Sequence, residues 1–200
     1  MFSDILLTVD FDRTLTGPDG KIPQRNLEAI HYFMDNGGTF TVNTGRSVNT
    51  FKAHMDEVPV NAPLLLYNGS AAWENGQLVG AKVIDLPVWE TMDKMVELFP
   101  DMNIEVQATD THYFINPLPS GIAYYQGLNW GFKVAEHGQD MGPFLKFCIF
   151  GDTDTAAVSS LYTGTPEELA YVDHIEQTIK QLYGDKVDVF RSAPDRKSVV

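Results

Sequence analysis

The chain has 200 residues with 27 acidic and 14 basic side chains, a formal net charge of −13. A composition that is 44% hydrophobic, 12% aromatic and only 20% charged excludes a disordered acidic tail and describes a globular chain of one domain or two small ones. Without a cluster of Lys and Arg, so acidic a protein lacks the counterion release that drives nucleic-acid binding and the attraction to anionic membranes, so neither is an expected partner.

The apolar run Ile5-Leu6-Leu7-Thr8-Val9 is β-branched and short, the pattern of a strand buried on both faces of a parallel sheet, and it ends at Asp10. Beyond the turn residues Gly17-Pro18-Asp19-Gly20, Pro23 can open a helix on the spacing of Leu27, Ile30, Phe33 and Met34, stopped by Asn36-Gly37-Gly38. A strand over 39–43, a helix after Thr44-Gly45-Arg46-Ser47 reaching Met55, and a third apolar run at Leu64-Leu65-Leu66-Tyr67 complete a β-α-β-α-β order. That order predicts a doubly wound, Rossmann-like parallel sheet.

After Asn68-Gly69 the pattern changes. Asn75-Gly76 between Ala71-Ala72-Trp73 and Gln77-Leu78-Val79 is a strong hairpin signal. A boundary near residues 80–86 separates an α+β module with helices over 88–99, 120–128 and 166–183 and strands over 104–108, 112–115, 145–150 and 186–191. The lone Cys148 cannot form an internal disulfide and reads as a small buried hydrophobe, and the apolar stretches are too short for a signal or a membrane span. The expected setting is a reducing cytoplasm.

In open parallel sheets ligands bind at the carboxyl ends of the strands, where Asp10 and Thr44 fall. If the extended backbone continues through Phe11, the carboxylates of Asp10 and Asp12 leave the same side of the chain and repel each other. Such a pair is either a proton-sharing acid/base couple, a hard-cation site suited to Mg²⁺, or simply the polar end of a strand.

A hydrophobic strand running into Asp10-Phe11-Asp12-Arg13-Thr14-Leu15-Thr16 resembles motif I of the haloacid dehalogenase-like (HAD) phosphohydrolases, and Thr44-Gly45-Arg46 resembles their motif II. Tyr67-Asn68-Gly69-Ser70 with its hairpin is similar to the corresponding segment of the Cof-like branch, which inserts a type IIB α/β cap there. The resemblance implies a partial doubly wound core over 1–82, a cap over 83–192, and the start of the return to the core over 193–200. It implies Asp10 as nucleophile, Asp12 as general acid and base, and Mg²⁺ held by the Asp10 carboxylate and the Asp12 carbonyl. Thr44, Gly45 and Arg46 would bind phosphate, with Asn68, Gly69 and Arg13 as weaker substrate or hinge candidates.

Three features depart from that family pattern. Arg13 stands where glycine is usual, so its Cβ strains the turn or its guanidinium helps hold an anion. The family's motif III Lys and motif IV acidic pair normally follow the cap, whereas only 193–200 remain here, so the core is expected to be truncated. Gly151-Asp152-Thr153-Asp154 imitates motif IV in letters but falls inside the cap pattern, as a turn or helix N-cap. The truncation would leave the 5–9 strand as an unprotected edge, inviting self-association.

Elsewhere the bland readings prevail. His31, His54, His112, His137 and His174 have no metal-ligand spacing and read as surface or partly packed residues, Glu97, Asp101 and Glu105 read as a solvated acidic face, and Tyr113, Phe114, Tyr124, Tyr125, Trp130 and Phe132 as core packing before pocket lining. The expected activity is a Mg²⁺-dependent phosphatase of a small phosphorylated metabolite such as a sugar phosphate, by an aspartyl-phosphate. The alternatives are a catalytically inactive remnant serving as a binding or structural module, and a phosphomutase.

Overall fold

The computed structural model describes residues 1–151, 165–193 and 196–200. Asp152, Thr153 and Asp154 lie outside the described residues. The chain divides into two compact units, Met1–Lys82 and Val83–Val200.

In the first unit, β1 (Leu6–Asp10), β2 (Thr39–Asn43) and β3 (Leu64–Leu66) are neighbours and parallel, while β4 (Ala71–Glu74) and β5 (Gln77–Ala81) extend the sheet antiparallel. Helix α1 (Gln24–Asp35) crosses from β1 to β2 and packs against β2, burying Ile30. The second crossover is shorter than the expected helix to Met55. Helix α2 spans only Val48–Phe51, because Ser47 and Thr50 close a capping box at its start and the backbone tightens to a 3₁₀ turn over Lys52–His54. The β4–β5 turn sits on Asn75 (φ 50°) and Gly76 (φ 82°), the left-handed pair that matches strand twist.

The run expected to be buried on both faces is instead exposed, with Ile5 at 49%, Leu6 at 62% and Leu7 at 42%. Strand β1 stands at the end of the sheet and pairs with β2 alone among the described residues, so one edge and parts of both its faces meet solvent.

The second unit is a six-stranded sheet in the order β10-β11-β9-β6-β7-β8, formed by β6 (Asn103–Ala108), β7 (His112–Asn116), β8 (Lys133–Val134), β9 (Phe144–Phe150), β10 (Val189–Ala193) and β11 (Arg196–Val199). Alternation along β6 and β9 makes two distinct faces. Ile104, Val106, Phe147 and Ile149 point to one core with Met92, Met95 and Phe99 of α3 (Val88–Leu98) or its end and Ile175 and Ile179 of α5 (Pro166–Tyr183). The other face buries Phe114, Tyr125, Cys148 and Phe150 with Trp130 and Phe132 packed on them, Tyr125 coming from α4 (Pro119–Gly127). Edge-to-face ring pairs at 5.0–5.8 Å among Tyr125, Phe114, Trp130 and Phe132 show these aromatics in packing roles.

Two expectations for the end of the chain change. The strand expected over 186–191 begins later, at Val189, because a 3₁₀ turn occupies Gly184–Lys186. Within the segment expected to start back toward the core, Arg196–Val199 form β11, which pairs antiparallel with β10 and with β9, Ser198 opposite Cys148. The backbone hydrogen bonds open on β9 hold that segment in the second unit.

Candidate active site

Asp10 stands opposite Asn43, and Asn43 opposite Leu65. Three parallel strands therefore end together, and the segments after them, 11–16, 44–47 and 67–70, emerge at one edge of the sheet. All eight residues singled out from the sequence, Asp10, Asp12, Arg13, Thr44, Gly45, Arg46, Asn68 and Gly69, lie on or beside these three segments.

Strand β1 stops at Asp10, whose backbone is still extended (φ −65°, ψ 145°), and the chain then reverses within five residues. Two threonines brace the reversal. Both the Thr16 backbone N–H (3.0 Å) and its hydroxyl (3.1 Å) donate to the Phe11 carbonyl, while that hydroxyl accepts from Arg13 N–H at 3.0 Å. The Thr14 hydroxyl donates to Asp10 Oδ2 at 3.0 Å. Extended backbone thus does not persist through the motif, and the Asp12 carboxylate is engaged by a cation.

Arg13 is held at φ 61°, ψ 8°, the left-handed region, which costs a residue with a Cβ about 1–2 kcal/mol. The strain foreseen for a side chain here is present. Arg13→Gly is expected to raise stability by about 1 kcal/mol after allowing for glycine's greater freedom in the unfolded chain, read from urea unfolding of both proteins. An unchanged or lower midpoint would show that contacts of the Arg13 side chain outweigh the strain.

The second segment is rigid. Thr44 is buried, its N–H donates to Leu65 O at 2.9 Å, and its carbonyl accepts from Asn68 N–H at 3.1 Å. Tyr67 N–H donates to Arg46 O at 2.9 Å, lacing the second segment to the third. Gly45 fits because the Asn68 amide lies against it: a Cβ there would stand 3.2 Å from Asn68 Nδ2. The third segment turns through consecutive left-handed residues, Tyr67 (φ 53°), Asn68 (φ 60°) and Gly69 (φ 92°). Asn68 Oδ1 is buried there and has no hydrogen-bond partner among the described residues, an acceptor left open at this edge.

The Arg46 side chain ties the first segment to the second. Nε donates to Asp12 Oδ2 at 2.9 Å and Nη2 to Asp12 Oδ1 at 2.7 Å, a two-point fork, while Nη1 donates to Thr50 O at 3.1 Å. Its Cζ also lies 5.5 Å from the centre of the Phe11 ring, which is buried against Phe51 and His54. Thr14, Thr16, Phe11 and Thr50 were not singled out from the sequence. The hydroxyls two and four residues past Asp12 were the available signal for the first two, whereas nothing in a linear pattern pairs Phe11 or Thr50 with Arg46.

Among the described residues no three His, Cys, Asp or Glu side chains gather to hold a metal. The Asp10 carboxylate and the Asp12 carbonyl are hard oxygen donors, a set that fits Mg²⁺, which binds through one or two carboxylates and keeps several waters. A cleft of about 800 Å³ in the same unit is lined by Val48, Lys52, Met55, Leu64 and Trp73, among others, and by none of the eight candidate residues.

The second unit corrects two expectations. Glu105 is not part of a solvated face, and His112 is not a surface residue: each is 1% exposed, as is Tyr125 between them. Tyr125 donates its hydroxyl proton to Glu105 Oε2, so its oxygen must accept from His112 Nδ1 at 2.9 Å, and Gln107 Nε2 donates to Glu105 Oε1 at 2.6 Å. Burial alone would raise the Glu105 pKa. The attraction of His112, whose Nδ1 is 3.7 Å from Oε2, with the bonds from Tyr125 and Gln107, outweighs it and holds the value down at about 2.

A Rossmann-like half-sheet with these residues on its carboxyl edge, followed by a separate α+β unit, is an α/β architecture of the HAD type. The chain belongs to the haloacid dehalogenase-like hydrolases, whose family model matches residues 7–199. It is 25% identical over 133 residues to the 5-amino-6-(5-phospho-D-ribitylamino)uracil phosphatase YcsE of Bacillus subtilis (strain 168), a match covering 66% of this chain and 52% of that protein. The chain thus spans about half the length of that relative.

Solved structures share the fold at lower identity. SMU.1108c from Streptococcus mutans UA159 superimposes with a TM-score of 0.76 at 11% identity, over 100% of this chain and 70% of that one. The HAD subclass IIB sugar phosphatase BT4131 gives 0.71 at 14%, over 98% and 69%.

Proposed function

We propose that the protein is a phosphatase of a small phosphorylated metabolite, of the sugar-phosphate kind, acting through a phosphorylated Asp10. The observation that carries this reading is the convergence of Asp10, Asp12 and Thr44-Gly45-Arg46 on the carboxyl edge of one parallel sheet in a chain of the HAD-like hydrolase family.

An Asp10 carboxylate oxygen attacks phosphorus, forming a new O–P bond as the ester P–O bond breaks, and the leaving oxygen takes a proton from Asp12. Asp12, now a carboxylate, takes a proton from water as that water attacks the phosphorylated Asp10, so inorganic phosphate leaves and both aspartates are restored. Thr14 holds the Asp10 carboxylate in place through its 3.0 Å bond to Oδ2. The Thr44 hydroxyl and the Gly45 backbone receive phosphoryl oxygens, and Asn68 Oδ1, buried and without a partner among the described residues, accepts from a substrate hydroxyl. Mg²⁺, on the Asp10 carboxylate and the Asp12 carbonyl, would supply the positive charge that lets one anion approach another.

The test is phosphate release from an aryl phosphate and a panel of sugar phosphates with and without Mg²⁺. Metal-dependent release supports the reading, and none from folded protein overturns it. A cytoplasmic setting belongs to the same reading, supported by a sequence whose single cysteine, Cys148, is buried; no described helix is long and apolar enough to cross a membrane.

Self-association through β1 is the remaining part of the proposal, supported by the exposed Leu6 and Leu7 on a strand that pairs on one side only among the described residues. Light scattering is expected to show a mass that grows with protein concentration, reduced by Leu6→Lys. A monomeric mass at every concentration contradicts it.

A further inference from the structure

The carboxyl edge contains one side chain whose observed contacts suit a task different from holding phosphate. We propose that Arg46 is a positioning residue for Asp12: its fork fixes where the Asp12 carboxylate points, and catalysis depends on that direction more than on any attraction of Arg46 for the substrate. The inference rests on the reading of Asp12 as the general acid and base.

Four observations lead to it. Asp12 lies on the exposed side of a tight reversal, with its side chain 47% exposed, so the turn alone leaves its rotamer free. The Arg46 side chain is only 22% exposed and is itself restrained, by Thr50 O at 3.1 Å and by the face of Phe11 at 5.5 Å. Those restraints are themselves stiff: Phe11 is 1% exposed, and Thr50 sits in the capping box of α2. Finally, the fork meets both carboxylate oxygens, at 2.7 and 2.9 Å, so it sets the plane of the group as well as its position. A single point charge would set neither. Restraint therefore passes from the buried Phe11 and α2 to Arg46, and from Arg46 to Asp12.

A phosphate ligand and a positioning residue fail differently when altered. Loss of a ligand that binds substrate and transition state alike raises KM, whereas misdirection of a proton donor lowers kcat. Lysine keeps the charge but not the fork. With Arg46→Lys, kcat on a sugar phosphate is expected to fall by about 10–100-fold, part of what a placed acid/base supplies, with KM changed less than about threefold. The loss is expected to be smaller on an aryl phosphate, whose leaving oxygen needs no proton. Arg46→Lys that retains wild-type kcat, or that raises KM alone, overturns the proposal and makes Arg46 a phosphate ligand.

A second readout is independent of turnover. In a nitrogen–proton correlation spectrum of the full chain, the Arg46 Nε–H signal, assigned by its loss in Arg46→Lys, is expected to move on Asp12→Ala. A signal that does not move overturns the proposal whatever the activity, whereas a moved signal in a protein that releases no phosphate supports the fork while overturning the phosphatase reading.

Discussion

His112→Ala is expected to destabilise the second unit by about 1–3 kcal/mol, the cost of leaving the buried Tyr125 hydroxyl oxygen without the donor it has in His112 Nδ1. Glu105, His112 and Tyr125 are each about 1% exposed, so no water can replace the lost partner without opening the sheet face. Glu105→Gln removes the charge but keeps an oxygen for the Tyr125 hydroxyl, and its cost is expected to be smaller. Urea unfolding of the three proteins at neutral pH gives the comparison. Equal midpoints for wild type and His112→Ala would mean that the Tyr125 and Gln107 bonds suffice to hold the buried carboxylate.

The same group sets an acid dependence. The folded Glu105 pKa of about 2 lies below its ordinary value of 4.5, so the folded state prefers the deprotonated form. That stabilisation, on the order of a few kcal/mol, is fully present above pH 4.5 and is lost as pH falls from there through 2. Over this window the wild type is expected to lose stability more steeply than Glu105→Gln. Parallel acid limbs for the two would contradict a depressed Glu105.

The largest effect on activity is expected from Asp10→Asn, a fall in kcat of roughly 10⁴-fold or more, the scale seen when a covalent nucleophile is removed and only binding and electrostatics remain. An amide is nearly isosteric with the carboxylate and can still accept from Thr14, which at present donates to Oδ2 at 3.0 Å, so the turn is expected to keep its shape. It cannot form the O–P bond. Thermal unfolding within a degree or two of wild type, together with lost phosphate release, would separate chemistry from folding. Wild-type turnover in Asp10→Asn would remove Asp10 from the mechanism.

Much of the architecture was legible in the linear pattern because it is written by local rules. The run ending at Asp10, the turns at Gly37-Gly38 and Asn75-Gly76, and the helix that starts at Pro166 each reflect backbone preferences of a few neighbouring residues. Parallel β-α-β connections then placed Asp10 and Thr44 at the same sheet edge, since strands running one way end on one side. The end of the chain was less legible. A short polar and apolar mixture such as 196–200 suits either unit, and the open hydrogen bonds of β9 made the choice.

By itself, then, the sequence determined the α/β class, the order of the elements in the first unit and the residues gathered at the carboxyl edge, because hydrophobic period and turn residues act over short range. Only the tertiary structure decided what those side chains meet. Arg46 reaches Asp12 across 34 positions, and Glu105 meets Tyr125 across 20. An acidic residue looks alike in sequence whether it faces water or a buried histidine, and the difference lies in the low dielectric of a closed sheet face, which exists only once the chain has packed.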